Sequence, residues 1–139
     1  MKQKLIAHCG MNCAICIGYL REKNKCPGCK LQGKSDSKYF KKCSVKNCNV
    51  IKDNNWDYCS PKCEKFPCKR LKDLDKRYTI KYNMSMIDNL NFIEINGIKI
   101  FIEQQKSKYI KSKKIFCIHK KEYFSIDSQI VTFINLHIK

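Results

Sequence analysis

Cys9-Gly10-Met11-Asn12-Cys13-Ala14-Ile15-Cys16, followed at once in kind by Cys26-Pro27-Gly28-Cys29, is the part of the chain whose reading decides its architecture. Cys13 and Cys16 are separated by two residues, as are Cys26 and Cys29. A C-x2-C turn aims two sulfurs at one point with the backbone wrapped between them. Two such turns complete a tetrahedral shell of four thiolates, which suits Zn²⁺ at a Zn–S distance of about 2.3 Å. Working outward, Cys43 and Cys48 form C-x4-C, and Cys59, Cys63 and Cys68 form C-x3-C-x4-C. The spacing favours Cys13, Cys16, Cys26 and Cys29 as one set. Cys43, Cys48, Cys59 and Cys63 form a plausible second, with Cys9 and Cys68 able to replace members of either. Spacing does not decide among these sets.

The reason to expect a metal is the shortage of anything else to hold this region. Residues 21–70 carry few aliphatic side chains and seven cysteines. Burial that sparse does not offset chain entropy, so a staple is required. Eleven cysteines would leave one thiol over in a closed disulfide framework. The opening residues Met1–Gly10 lack the apolar run of a signal peptide, and no stretch has the apolar length of a membrane span. A cytoplasmic location follows as the expectation. Thiols stay reduced there, and closely paired cysteines serve more often as metal ligands than as disulfides.

Other metals and other ligands fit less well. Thiolates also hold iron–sulfur clusters. Cys9, Cys13 and Cys16 share the C-x3-C-x2-C spacing of radical enzymes that cleave S-adenosylmethionine, but the βα alternation of their barrel has no counterpart here. Cys117 and His119 lie two apart on an expected strand and could face one metal together. A buried cysteine beside a surface histidine accounts for the same spacing and is preferred. His8 adjoins Cys9 and could be a ligand or a hydrogen-bond partner of one, though a surface place is preferred, and His137 reads as a surface residue.

The aliphatic residues concentrate late in the chain. A soft boundary near 69–83 separates a cysteine-rich metal-binding module, 1–83, from a helical and then β part, 84–139, expected to pack on it as one unit. Leu71, Leu74 and Tyr78 predict a short helix starting at Lys69. Ser85 and Asp88 resemble a capping box ahead of Met86, Ile87, Leu90 and Ile93, and Asn96-Gly97 ends that stripe. Ile98–Ile110 reads as a second helix with Ile98, Phe101, Ile102, Gln105 and Tyr109 on one face, although Ile98–Ile102 fits a strand equally well. Lys114–Ile118, Glu122–Ile126 and Gln129–Ile138 read as strands of a small antiparallel sheet. The fold class is small α+β: a zinc-stabilised loop-and-helix part, then helices, then a small sheet.

The net charge of +17 resembles a nucleic-acid signal, yet 26 of 29 basic residues are lysine. Abundant Lys, Ile and Asn point to compositional bias more than to a selected basic surface. Eight thiolates around two zinc ions would lower the charge to about +13, still enough for weak attraction to polyanions. There is no H-E-x-x-H, no phosphate-binding glycine loop, no G-x-S-x-G and no convincing acid–base pair.

Four motifs in order carry a family resemblance. His8–Cys16, Lys25–Cys29, Cys43–Cys48 and Cys63-Glu64-Lys65-Phe66-Pro67-Cys68-Lys69-Arg70-Leu71 resemble the "CGLxCxxC", "CpGC", "CxxxxC" and "CxxFPCxxL" elements of domain of unknown function 3795. That is an uncharacterised, cysteine-rich bacterial and archaeal family. The resemblance implies zinc and a cytosolic location but no reaction. Phe116–His119 resembles a remnant of its further Cys/His segment, without the paired cysteines that would complete another ribbon. The expectation is a structural zinc protein, with about two Zn²⁺ per chain, acting as a binding or adaptor module. The alternatives are a nucleic-acid- or ribosome-associated zinc module and a thiol redox, iron–sulfur or metal-transfer protein.

Overall fold

The computed structural model describes residues 3–20, 45 and 48–125, and elements are numbered among those residues. Cys26, Cys29, Cys43, His137 and the expected strand Gln129–Ile138 lie outside them. In chain order the helices are α1 (Ile17–Leu20), α2 (Asn49–Asp53), α3 (Lys69–Tyr82), α4 (Met86–Asn96) and α5 (Ile98–Tyr109). The strands are β1 (Ile110–Lys111), β2 (Lys114–Cys117) and β3 (Glu122–Ser125). This is a small α+β fold.

The helix limits follow from local chemistry. Asn83 ends α3 in the left-handed region, with its N–H donated to Thr79 O at 3.1 Å. Asparagine tolerates that region better than most residues. The helix runs a turn beyond Tyr78 to Tyr82, whose ring centroid lies 5.3 Å from that of Tyr78. Ser85 then caps α4: its Oγ accepts from the Asp88 N–H at 3.1 Å. The same hydroxyl donates to Asp75 Oδ1 of α3 at 2.6 Å, and that oxygen also accepts the Ile87 N–H at 3.0 Å. One carboxylate thus fixes the α3–α4 corner. Gly97, at φ 88°, ends α4 and begins α5, a conformation that costs other residues strain.

Three buried stripes meet in one core. Leu71 comes from α3, Met86, Leu90 and Ile93 from α4, and Phe101, Ile102 and Tyr109 from α5. Each full burial of this kind contributes about 1.5–3 kcal/mol. Gln105 and Lys106 of α5 are buried as well. Gln105 is satisfied by Asn12, whose Nδ2 donates to its Oε1 at 3.2 Å. Lys106 buries its stem and reaches Glu103 Oε1 at 3.1 Å.

The sheet is antiparallel in the order β1-β2-β3, with Ile110 opposite Ile115 and Phe116 opposite Tyr123. The two-residue turn between β1 and β2 puts Ser112 and Lys113 at φ 49° and 61°. Hairpin turns of that length want positive φ at both positions to match strand twist.

The N-terminal segment is part of this core. Ile6 pairs with Asn12 in a single antiparallel bridge, and Ala7 N–H donates to Met11 O at 2.8 Å. The loop between them presses Gly10 onto α4. A Cβ at Gly10 would lie 3.1 Å from Leu90 Cγ and 3.2 Å from Met86 O, and the residue has φ +87°. Asn89 Nδ2 donates to Gly10 O at 3.0 Å across the same seam. Ile118 N–H donates to Ile15 O at 3.1 Å, joining the far end of β2 to this segment.

Gly10→Ala should therefore destabilise the fold by about 2 kcal/mol or more, from left-handed strain plus crowding against backbone. Gly97→Ala, with nothing within 4 Å of the added carbon, should bring the strain alone. Urea midpoints of both variants at a common slope would check the difference; equal losses would contradict the close approach at Gly10.

Candidate functional site

The cysteines among the described residues fall into two neighbourhoods. The first gathers Cys48, Cys59, Cys63 and Cys68, all half-buried and all free thiols. Cys48 leads into α2, with its N–H donated to Val45 O at 3.1 Å. Asn54 caps the end of α2 and Asn55 adopts φ 53°, which turns the chain back towards Trp56. Cys59 follows, and its N–H donates to His8 O at 2.8 Å. The next two turns are closed by Cys63 N–H to Ser60 O at 2.9 Å and Phe66 N–H to Cys63 O at 3.0 Å. Ser60 Oγ accepts from the Lys62 N–H at 3.1 Å and donates to Glu94 Oε2 at 3.4 Å. Cys68 then caps α3.

Cys59 feels the other thiols of this group. Burial, then the charges of Cys68, Cys48 and Cys63, push the Cys59 thiol up to about 11. Without a cation among them, that thiol is held protonated at neutral pH. A divalent ion would reverse the preference, since a coordinating thiol loses its proton outright.

The second neighbourhood surrounds Tyr78. Cys9 and Cys13 are buried and Cys16 is half-buried. Burial first, then the charges of Cys16, Cys9, Tyr82 and Cys13, raise the Tyr78 phenol. His119 joins them from the β2–β3 turn. Its ring meets Tyr82 edge-on at 4.8 Å and Tyr78 at 6.0 Å between centroids. Its Nδ1 accepts the Ile17 N–H at 3.3 Å, directly after Cys16. A neutral imidazole accepting there carries its proton on Nε2, so His119 in this tautomer offers no lone pair to a metal.

Several expected site residues are placed differently from their spacing. β2 ends at Cys117, which is fully buried, and His119 lies in the following turn, so the two do not share a strand face. His119 is half-buried against tyrosines rather than on the surface, and His8 is half-buried too. Of the second expected set, Cys48, Cys59 and Cys63 come together, and Cys68 stands with them. Among the described residues, no group of three or more His, Cys, Asp or Glu side chains is set in a geometry that could hold a metal ion.

A cavity of about 150 Å³ lies beside the first thiol group, lined by Trp56, Tyr58, Cys59, Leu90, Ile93 and Glu94 among others. Burial and the adjacent Asp57 push the Tyr58 phenol up to about 12, so it remains an O–H donor there at neutral pH. Pockets for drug-sized ligands run to roughly 300–1,000 Å³, so this space suits a small group at most. Among the described residues, no helix is long and apolar enough to cross a membrane. Compared with family models, with curated proteins and with solved structures, the chain matches none.

The half-buried His119 makes a pH dependence measurable. Burial holds its imidazole below the ordinary 6.5. The unfolded chain therefore takes up the proton first as pH falls, so its contribution is complete above about pH 6.5 and is lost as pH drops towards the folded value. Urea midpoints at pH 7.5 and 5.5 should fall more for the native chain than for His119→Gln. An equal fall in both would show that His119 does not carry this dependence.

Proposed function

We propose that the chain is a binding or adaptor module whose cysteine-rich part is held by zinc, and that it is related to the zinc-binding family whose motifs it resembles. The observation carrying this reading is the convergence of Cys48, Cys59, Cys63 and Cys68, delivered by α2, two successive turns and the start of α3, in a region poor in aliphatic residues. Four thiols are the donor chemistry of zinc rather than of magnesium or calcium.

The side chains do not stand as a closed shell, so binding in this reading draws the four sulfurs inward. A zinc ion bound there supplies charge neutralisation and a cross-link, and with every position taken by sulfur it has none open for water. The chain's own contributions are the turns. Ser60 and Cys63 carbonyls hold the C-x3-C loop, and the Cys59 N–H to His8 O bond ties it to the core. Cys9, Cys13 and Cys16, completed from Cys26 and Cys29, make the second zinc set of this proposal. A cytoplasmic setting belongs to the same reading, because these thiols must stay reduced to bind.

Elemental analysis of protein purified without added metal should give about two zinc per chain. Cys63→Ser should lower that to about one and reduce the melting temperature, because metal binding is coupled to folding. Cys117→Ala should leave the zinc content unchanged. Iron with acid-labile sulfide would point instead to a cluster protein, and a Cys63→Ser variant that keeps both zincs would remove Cys63 from the shell.

A further inference from the structure

Helix α3 divides its side chains sharply. Leu71 is buried, and Leu74, Tyr78 and Tyr82 are half-buried against the core. The opposite side carries Lys69, Arg70, Lys72, Lys76, Arg77 and Lys81, all exposed. Both carboxylates of the helix are already engaged. Asp75 is turned to the α4 cap, where it accepts from Ser85 and Ile87. Asp73 is exposed and pairs with Lys69 at 3.3 Å, a surface contact worth little against solvent. Among the described residues, α3 therefore shows solvent six cations against the one exposed carboxylate of Asp73.

The arginines sharpen the point. The chain has 26 lysines and three arginines, and two of those three, Arg70 and Arg77, lie on this face. They are two helical turns apart, about 10.5 Å along the axis, and point in nearly the same direction. Compositional drift towards lysine explains the lysines but not this pairing. A guanidinium offers a planar fork that matches phosphate bidentately, whereas an ammonium is a point charge.

We propose that the outer face of α3 is a docking surface for the phosphate backbone of a nucleic acid. This names a partner class for the module proposed above and rests on that reading for its binding role, not for its metal. The surface fits phosphates better than its rivals. A membrane-lying helix inserts a broad apolar face, and the apolar side of α3 is spent on the core, leaving exposed Ile80 alone among the charges. A protein interface concentrates its energy in buried aromatic or aliphatic anchors, of which this face offers Ile80 alone. A line of cations with two arginine forks is what sequence-tolerant backbone binding uses.

The test is fluorescence anisotropy of the full chain with mixed-sequence duplex and single-stranded oligonucleotides between 50 and 300 mM salt. Native protein should bind with an affinity that falls steeply with salt. Arg70→Gln with Arg77→Gln should reduce the slope of log K against log salt by about 1.4–1.8, two phosphate contacts' worth. Lys99→Gln with Lys113→Gln removes the same charge from exposed positions elsewhere and should leave the slope nearly native. Equal weakening by the two pairs would reduce the effect to net charge and overturn the proposal. So would the absence of salt-sensitive binding, or tighter binding to phosphatidylserine vesicles than to either oligonucleotide. Zinc content and melting temperature measured on the same samples separate the two readings. Native values in a variant that loses oligonucleotide affinity place the loss at the surface, and a native chain that binds oligonucleotide without zinc overturns only the metal reading.

Discussion

The close approach of Gly10 to α4 is the contact on which the placement of the thiols depends. With φ +87° and two α4 atoms within 3.2 Å of where a Cβ would stand, the loop lies flush on the helix. Cys9 precedes that contact and Cys13 follows it, and both are buried. The carbonyl of His8, one residue further out, receives the Cys59 N–H at 2.8 Å. The same short loop therefore seats one thiol group on the core and ties the other group to it. Asn12 locks the arrangement from within: its Oδ1 accepts the Ala14 N–H at 3.0 Å while its Nδ2 donates to Gln105.

This arrangement has an electrostatic consequence. Burial and the charges of its neighbours Cys68, Cys48 and Cys63 oppose the ionisation of Cys59. Likewise Tyr78, set among Cys9, Cys13 and Cys16, is held as a phenol. In the proposed reading a cation would absorb the repulsion that Cys59 meets, and metal binding and folding would be coupled. The cationic outer face of α3 is separate in origin. It follows from Asp75 being committed to the α4 cap, so that a structural bond at the corner unbalances the charge on the surface.

Much of the helical half was legible in the sequence because its signals are local. Ser85 with Asp88 marked the start of α4, Asn96-Gly97 marked its end, and the stripes through Leu90 and Phe101 marked the buried faces. The strands Lys114–Cys117 and Glu122–Ser125 followed from their β-branched and aromatic residues. The two-residue strand β1 did not, because Ser112-Lys113 lacks the Asn-Gly signature of such turns even though it takes their backbone shape. Lys106 reads as a solvent residue, yet its stem is buried with only the ammonium reaching Glu103. The grouping of Cys48, Cys59 and Cys63 was legible in the cysteine spacing, and the place of His119 was not. His119 meets Ile17 across 102 residues of sequence, and no spacing rule reaches that far. Cys68 stands with Cys48, Cys59 and Cys63 because α3 begins there, a matter of helix placement rather than of the interval between cysteines.

X-ray absorption at the zinc edge of the purified protein tests the account most directly. The account predicts a first shell of sulfur alone, about four atoms at about 2.3 Å per zinc. A shell dominated by nitrogen or oxygen at about 2.0–2.1 Å, or protein in which the cysteines are oxidised and no zinc signal exists, would contradict it.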